Sequence, residues 1–245
     1  KELQTLLRNN RYRLKPNEIA VIQEMRKSEV RNILVIGDLH EPFCLDGYLE
    51  WCKEQYKVHN CNQVILIGDI IDAHGFSYHE PDPDGMSSGL ELETAIKKIA
   101  KWYEAFPYAD VMIGNHDRMA SRKAMSGGIP AAWIRSYNEV LGTPNWNWCE
   151  SVIYDDVLYE HGEGGQAAAK AKNNLMSSVC GHTHTLAYTQ WFVGKRFKVF
   201  GMQVGCGVDS TTYAAAYAKN FKKQAIGCAV VLNNGTLPIN LLMPL

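Results

Sequence analysis

Five times along this 245-residue chain a short apolar run stops and Asp, Asn or His follows within two or three residues. Ile33-Leu34-Val35-Ile36 leads into Gly37-Asp38-Leu39-His40, and Val64-Ile65-Leu66-Ile67 into Gly68-Asp69-Ile70-Ile71-Asp72. Val111-Met112-Ile113 leads into Gly114-Asn115-His116-Asp117, Val157-Leu158-Tyr159-Glu160 into His161-Gly162, and Ser178-Val179-Cys180 into Gly181-His182-Thr183-His184. Continuous apolar runs of this length read as strands buried on both faces. In four of the five, glycine precedes the polar group and lets the chain turn without a Cβ penalty.

Helical patterns separate the strands: Asp46 to His59, Ser88 to Phe106 (with Leu90, Leu92, Ile96, Ile99 and Tyr103 as its apolar positions), Pro130 to Leu141, and Gln166 to Leu175. Strands alternating with helices predict an α/β layered domain. The tail differs. Phe197 to Val208, Ala225 to Leu232 and Leu237 to Leu242 are strand-like, and Asn233-Asn234-Gly235 predicts a hairpin between the last two.

Composition narrows the class. No apolar stretch approaches the ~20 residues of a membrane span, and the polar opening residues exclude a signal-peptide core within the sequence as given. Seven cysteines without a C-x-x-C pair argue against a disulfide framework or zinc ribbon and point to a reducing, cytoplasmic setting, in a host cell if the gene is phage-borne. A net charge of −1 argues against coating duplex nucleic acid by bulk electrostatics. Residues 1–31 are locally basic, with Arg8, Arg11, Arg13, Lys15, Arg26 and Lys27 among them. They form either a solvated helix on the domain edge or a linker that engages nucleic acid. Residues 32–245 read as one domain. Oligomeric state is not encoded in any pattern we recognise.

In open α/β sheets, ligands sit beyond the carboxyl ends of strands. The residues collected there are Asp38, His40, Asp69, Asp72, Asn115, His116, Asp117, His161, His182 and His184. Three carboxylates at one rim would repel one another and rise in pKa unless cations neutralise them. Imidazole, carboxylate and amide without thiolate suit Mn, Fe, Zn, Ni or Co. There are more ligands than one tetrahedral ion uses, which points to two metals.

The ordered set Asp38-x-His40, Gly68-Asp69-x-x-Asp72, Gly114-Asn115-His116-Asp117, His161-Gly162 and Gly181-His182-x-His184 resembles the calcineurin-like metallophosphoesterase superfamily. The stretch Gly-Asp-Leu-His-Glu-Pro-Phe is similar to that of stand-alone bacterial and phage-encoded members. The resemblance implies a four-layer α/β/β/α sandwich of two packed mixed sheets with flanking helices and a binuclear centre. It assigns one metal to Asp38, His40 and His184 and the other to Asn115, His161 and His182, with Asp69 bridging. It makes His116 the catalytic histidine and Asp72 the carboxylate that pairs with it. Two ions ~3.5–4 Å apart would bind a phosphoester and lower the pKa of a shared water, while His116 protonates the leaving alkoxide. Phosphoprotein phosphatases of this superfamily carry arginine after the second motif; here Ala73 stands there, leaving Arg118 and His74 as candidates for substrate contact. The expectation is a phosphodiesterase on nucleotide or nucleic-acid-like substrates, with a phosphomonoesterase or a non-catalytic metal-bound scaffold as the alternatives. Trp146-Asn147-Trp148 either stacks bases or packs against the domain.

Overall fold

A computed structural model describes residues 30–78, 82–209, 211 and 223–244. The basic segment 1–31 lies outside them except for Val30 and Arg31; Arg31 pairs with Asp155 at 2.8 Å and covers the Tyr154 ring.

The apolar runs become strands β1 (Ile33–Ile36), β2 (Gln63–Leu66), β3 (Asp110–Met112), β6 (Val157–Glu160) and β7 (Ser177–Cys180). Three further strands are β4 (Asn147–Cys149), β5 (Ser151–Tyr154) and β8 (Tyr188–Val193). The tail supplies β9 (Lys198–Gln203), β10 (Gly227–Leu232) and β11 (Leu237–Leu242). One sheet runs β11-β10-β1-β2-β3-β4 and the other β5-β6-β7-β9-β8. β1 to β4 are parallel, as are β6, β7 and β9, whereas β10, β11, β5 and β8 pair antiparallel. The hairpin between β10 and β11 turns through Asn233, Asn234 and Gly235, all at positive φ, where Asn and Gly are tolerated best.

Alternate residues of β1 face different cores, which is why its sequence shows no polar interruption. Leu34 and Ile36 point to a layer containing Tyr48, Cys52, Ile99, Trp102, Tyr103 and Phe106. Ile33 and Val35 point to the inter-sheet layer, with Ile65, Met112, Val179, Phe200 and Met202. The first layer is closed by α1 (Tyr48–Val58) and α2 (Ser88–Ala105). The outer face of the second sheet is covered by α5 (Ala167–Asn174), which packs on β7 and β9. The result is the expected helix, sheet, sheet, helix sandwich. Ile65 is fully buried, so Ile65→Ala would cost about 2–5 kcal/mol.

Three expectations shift. The stretch Pro130 to Leu141 is not one helix: a 3₁₀ turn at Ala131–Trp133 precedes α4 (Tyr137–Leu141). Ser136 starts α4 afresh with a capping box to Glu139, a stop-and-restart signal. The segment after His116 holds an unanticipated helix, α3 (Met119–Ser126). In α2 the buried face is Glu91, Ala95, Ile99, Trp102 and Tyr103, while Leu90 is exposed.

Candidate metal centre

The carboxyl ends of β1, β2 and β3 from one sheet and β6 and β7 from the other meet at one rim. Three groups of ligand-type atoms converge there: Asp38, His40, Asp69 and His184; Asp69, His161 and His182; and His40, Asp72 and His116. Asp69 belongs to the first two. Its Oδ2 lies 3.1 Å from His161 Nε2 and 3.5 Å from His40 Nε2, while its Oδ1 accepts from the His116 amide at 2.8 Å. Asp38 Oδ2 accepts from the His182 amide at 2.8 Å and lies 3.1 Å from His184 Nε2. His161 Nε2 sits 3.0 Å from Asn115 Oδ1 and 3.2 Å from His182 Nδ1.

The chain bends unusually to present these groups. His40, Asp69, Ala73 and His182 are left-handed at φ 49°, 48°, 56° and 67°, a conformation that costs non-glycine residues and clusters at functional sites. Two glycines make room. A Cβ on Gly114 would collide with Asp69 Oδ1, and one on Gly181 with Asp38 Oδ1.

Partners behind the rings fix which nitrogen faces inward. His161 Nδ1 donates to the Ile67 carbonyl at 3.1 Å, leaving Nε2 directed into the cluster. His40 Nδ1 meets Asp72 Oδ1 at 2.6 Å, with the same consequence for its Nε2. Such outer partners set the tautomer and raise ligand basicity. Asp117 acts on the backbone instead: Oδ1 accepts from the amides of Ile70 and Ile71 at 3.0 and 3.3 Å, and Oδ2 from Gly114 at 2.9 Å. It therefore ties the loop after β2 to the loop after β3.

The Asp72 carboxylate pairs with His40, not chiefly with His116. His116 Nδ1 is 3.7 Å from Asp72 Oδ1 but donates in a short hydrogen bond to the Asp72 carbonyl. One residue thus orients two histidines, through different atoms.

At Asp69 the neighbouring imidazoles outweigh burial. Burial raises the Asp69 carboxyl, but His161 and His40 hold it well below the usual range. Burial alone would lower His40, yet the Asp69 and Asp72 carboxylates beside it hold it well above its usual value. His161, likewise opposed by burial, is raised to about 9 by Asp69. Burial and His40 lower His116, and burial and His161 lower His182. Burial and the Asp69 charge push Asp117 up to about 7.

Of the two proposed substrate contacts, Arg118 is engaged in ion pairs with Glu150 and Glu163. His74 is buried, and its Nε2 accepts from the Asp82 amide at 3.2 Å. The two tryptophans pack: Trp146 is buried and donates to the Phe106 carbonyl at 2.9 Å, and Trp148 stacks on Tyr137 at 4.5 Å. Sequence reading passed over Glu91, Lys98 and Trp102 of α2. The only available signal was an acidic residue, Glu91, in phase with the apolar positions Ala95, Ile99 and Trp102.

The residues fit metal ions. Asp38 Oδ1, His40 Nε2 and Asp72 Oδ2 are buried polar atoms with no hydrogen-bond partner, and such atoms are costly unless something pairs with them. Two of the three belong to the cluster of Asp38, His40, Asp69 and His184. A soft, thiolate-binding ion has no ligand here; borderline divalent ions do.

Architecture and site together define a two-sheet α/β protein whose rim gathers residues that could hold metal ions. The sequence profile of the calcineurin-like phosphoesterases matches residues 31–175, and the chain belongs to that family. No curated protein matches it in sequence. Among solved structures it is similar to vacuolar protein sorting 29 from Cryptosporidium parvum (TM-score 0.46, 13% identity, 84% of this chain and 86% of that one). It is also similar to YfcE, a phosphoesterase from E. coli (0.39, 13%, 86% and 99%), and to the Pseudomonas putida nuclease MPE (0.34, 14%, 84% and 86%). Among the described residues, no helix is long and apolar enough to cross a membrane.

Proposed function

We propose that the chain hydrolyses phosphodiesters of the nucleotide or nucleic-acid kind at a two-metal centre. The observation that carries this reading is the convergence of Asp38, His40, Asp69 and His184 with Asp69, His161 and His182. Asp38, His40 and His184 would hold one divalent ion, and Asn115, His161 and His182 the other, with Asp69 between them. Bound there, the ions would supply Lewis acidity toward phosphoryl oxygens and a lowered water pKa near neutral pH.

The rest is the work of side chains. His116, whose side chain is 14% exposed, stands where a substrate can reach it. Its Nδ1–H is anchored to the Asp72 carbonyl, so Nε2 is the nitrogen available to protonate a leaving oxygen. A cationic His40 repels a proton on His116. As a metal ligand His40 would be neutral, which would remove that repulsion; burial still lowers His116, and Asp69 and Asp72 oppose it.

The diester preference rests on what surrounds the centre. A monoester dianion benefits most from a free cation beside the metals. Arg118 is neutralised by Glu150 and Glu163, and the His74 ring is held by the Asp82 backbone. A diester monoanion asks less of such a grip. We retain Arg118 and His74 only as groups at the margin of the substrate site.

The deciding measurement is kcat/KM for bis-p-nitrophenyl phosphate against p-nitrophenyl phosphate, both with Mn²⁺. Higher efficiency on the diester is expected. A clear monoester preference overturns the diester reading, and metal binding without turnover of either substrate makes the protein a scaffold. Nucleic-acid engagement by residues 1–31 is tested by salt-dependent binding of a single-stranded oligonucleotide with and without residues 1–15, because each neutralised phosphate steepens the salt dependence.

A further inference from the structure

One face of α2 carries three polar side chains at positions 91, 98 and 102, and each reaches a loop that presents the metal centre. Trp102 Nε1 donates to Glu41 Oε1 at 2.9 Å, one residue after His40. Lys98 Nζ donates to the Pro42 carbonyl at 2.7 Å. Glu91 makes the most direct connection. Only 3% exposed, it accepts from the His74 amide through Oε1 and from the Gly75 amide through Oε2, both at 2.9 Å.

Those two amides open the 3₁₀ turn His74–Phe76, which follows Asp72 after a single left-handed residue, Ala73. The Asp72 amide is fixed from the other side by the Glu41 carbonyl at 3.1 Å. Asp72 is therefore held between Glu41 and, two residues on, Glu91. The contact with α2 is tight: a Cβ on Gly75 would lie 2.8 Å from Ser88 Oγ and 3.0 Å from the Ser88 amide nitrogen. The turn cannot drift toward the helix, and Glu91 keeps it from drifting away.

We propose that Glu91 is a positioning residue which, by clamping the His74 and Gly75 amides, sets Asp72 and through it both His40 and His116. The carboxylate of Asp72 aims His40 Nε2 into the cluster, and its carbonyl anchors His116 Nδ1. A carboxylate is needed because both amides donate. Glutamine offers one acceptor, and its NH₂ group would face the second amide donor-to-donor. The assignment of catalysis to His116 rests on the phosphodiesterase reading; the assignment of Glu91 to His40 does not.

The test compares Glu91→Gln with Ile99→Val, a change at an apolar position on the same buried face of the helix, in the full chain at a temperature where circular dichroism shows both folded. Outer partners of metal ligands typically contribute ~10–100-fold to affinity or activity. Glu91→Gln is therefore expected to lower kcat on bis-p-nitrophenyl phosphate by at least about tenfold with KM within about threefold, and to weaken Co²⁺ binding, followed by its visible absorption, by a similar factor. Ile99→Val should change neither. Unaltered kcat and Co²⁺ affinity in Glu91→Gln, or equal losses in Ile99→Val, overturn the proposal. If the wild type turns over neither ester, the phosphodiesterase reading fails by itself, and Co²⁺ affinity alone decides the role of Glu91.

Discussion

The two halves of the rim use the same chemistry in different surroundings. Around His40, Asp38, Asp69 and Asp72 are all at most 3% exposed, and buried ligand atoms lack partners. Around His161 the cluster opens: His182 is exposed and Asn115 half-buried, and His161 Nε2 already has neighbours in Asn115, His182 and Asp69. A divalent ion bound in the first half would have little water to fall back on and would face a larger penalty for leaving. The second half is the one more open to water.

The change that should erase this contrast is Asp69→Asn, because the lost charge serves both halves. Turnover should fall beyond the ~10²–10⁴-fold range typical of a single acid–base residue, with metal analysis after dialysis showing both ions weakened. Loss of only one ion would show that Asp69 does not bridge. Next in size is His116→Ala, expected to lower kcat by ~10²–10⁴-fold with metal content intact. An ester whose leaving group has a low pKa should recover part of the loss, since it needs no proton. An emptied metal site with normal turnover per bound ion would reassign His116 as a ligand.

The asymmetry itself is read by His40→Ala against His182→Ala. Dialysis should strip the buried-half ion from the first variant and only the exposed-half ion from the second, which therefore keeps the tighter of the two binding phases in a Mn²⁺ titration. Equal losses would mean that burial does not rank the halves. The smallest effect belongs to Arg118→Ala. Its partners Glu150 and Glu163 are exposed, and exposed pairs contribute ~0–1 kcal/mol. Diester kcat/KM should move by less than about threefold, a larger drop showing that Arg118 leaves its ion pairs to hold substrate.

What the sequence made legible divides along the sheets. β1, β2, β3, β6 and β7 were readable because they lie inside a sheet and their Gly-bounded runs carry little polar interruption. β4, β5 and β8 were not, and all three are edge strands. With one side unpaired and one face partly wet, their burial alternates or breaks, as in Ser151–Tyr154, and no continuous run marks them. The metal-ligating residue types were legible because each sits just past a strand end. Their supports were less so. Asp72 was expected to pair with His116 through its carboxylate; that carboxylate lies 3.7 Å from His116 and 2.6 Å from His40, and the Asp72 carbonyl also accepts from His116. Backbone acceptors carry no residue identity, so no motif could announce that bond. Glu91 was hidden because the helix face was read one position out, with Leu90 inside where the structure buries Glu91.

Gly114 and Gly181 carry a consequence for how such a site can change over time. Each lies so close to a carboxylate that a single added methyl would occupy the space of Asp69 Oδ1 or Asp38 Oδ1. A change at either glycine, even to alanine, would therefore displace a carboxylate oxygen much as replacing the aspartate would. The wetter ground of Arg118, Glu150 and Glu163 has no such constraint: its side chains can be exchanged without touching the slots that seat Asp38 and Asp69.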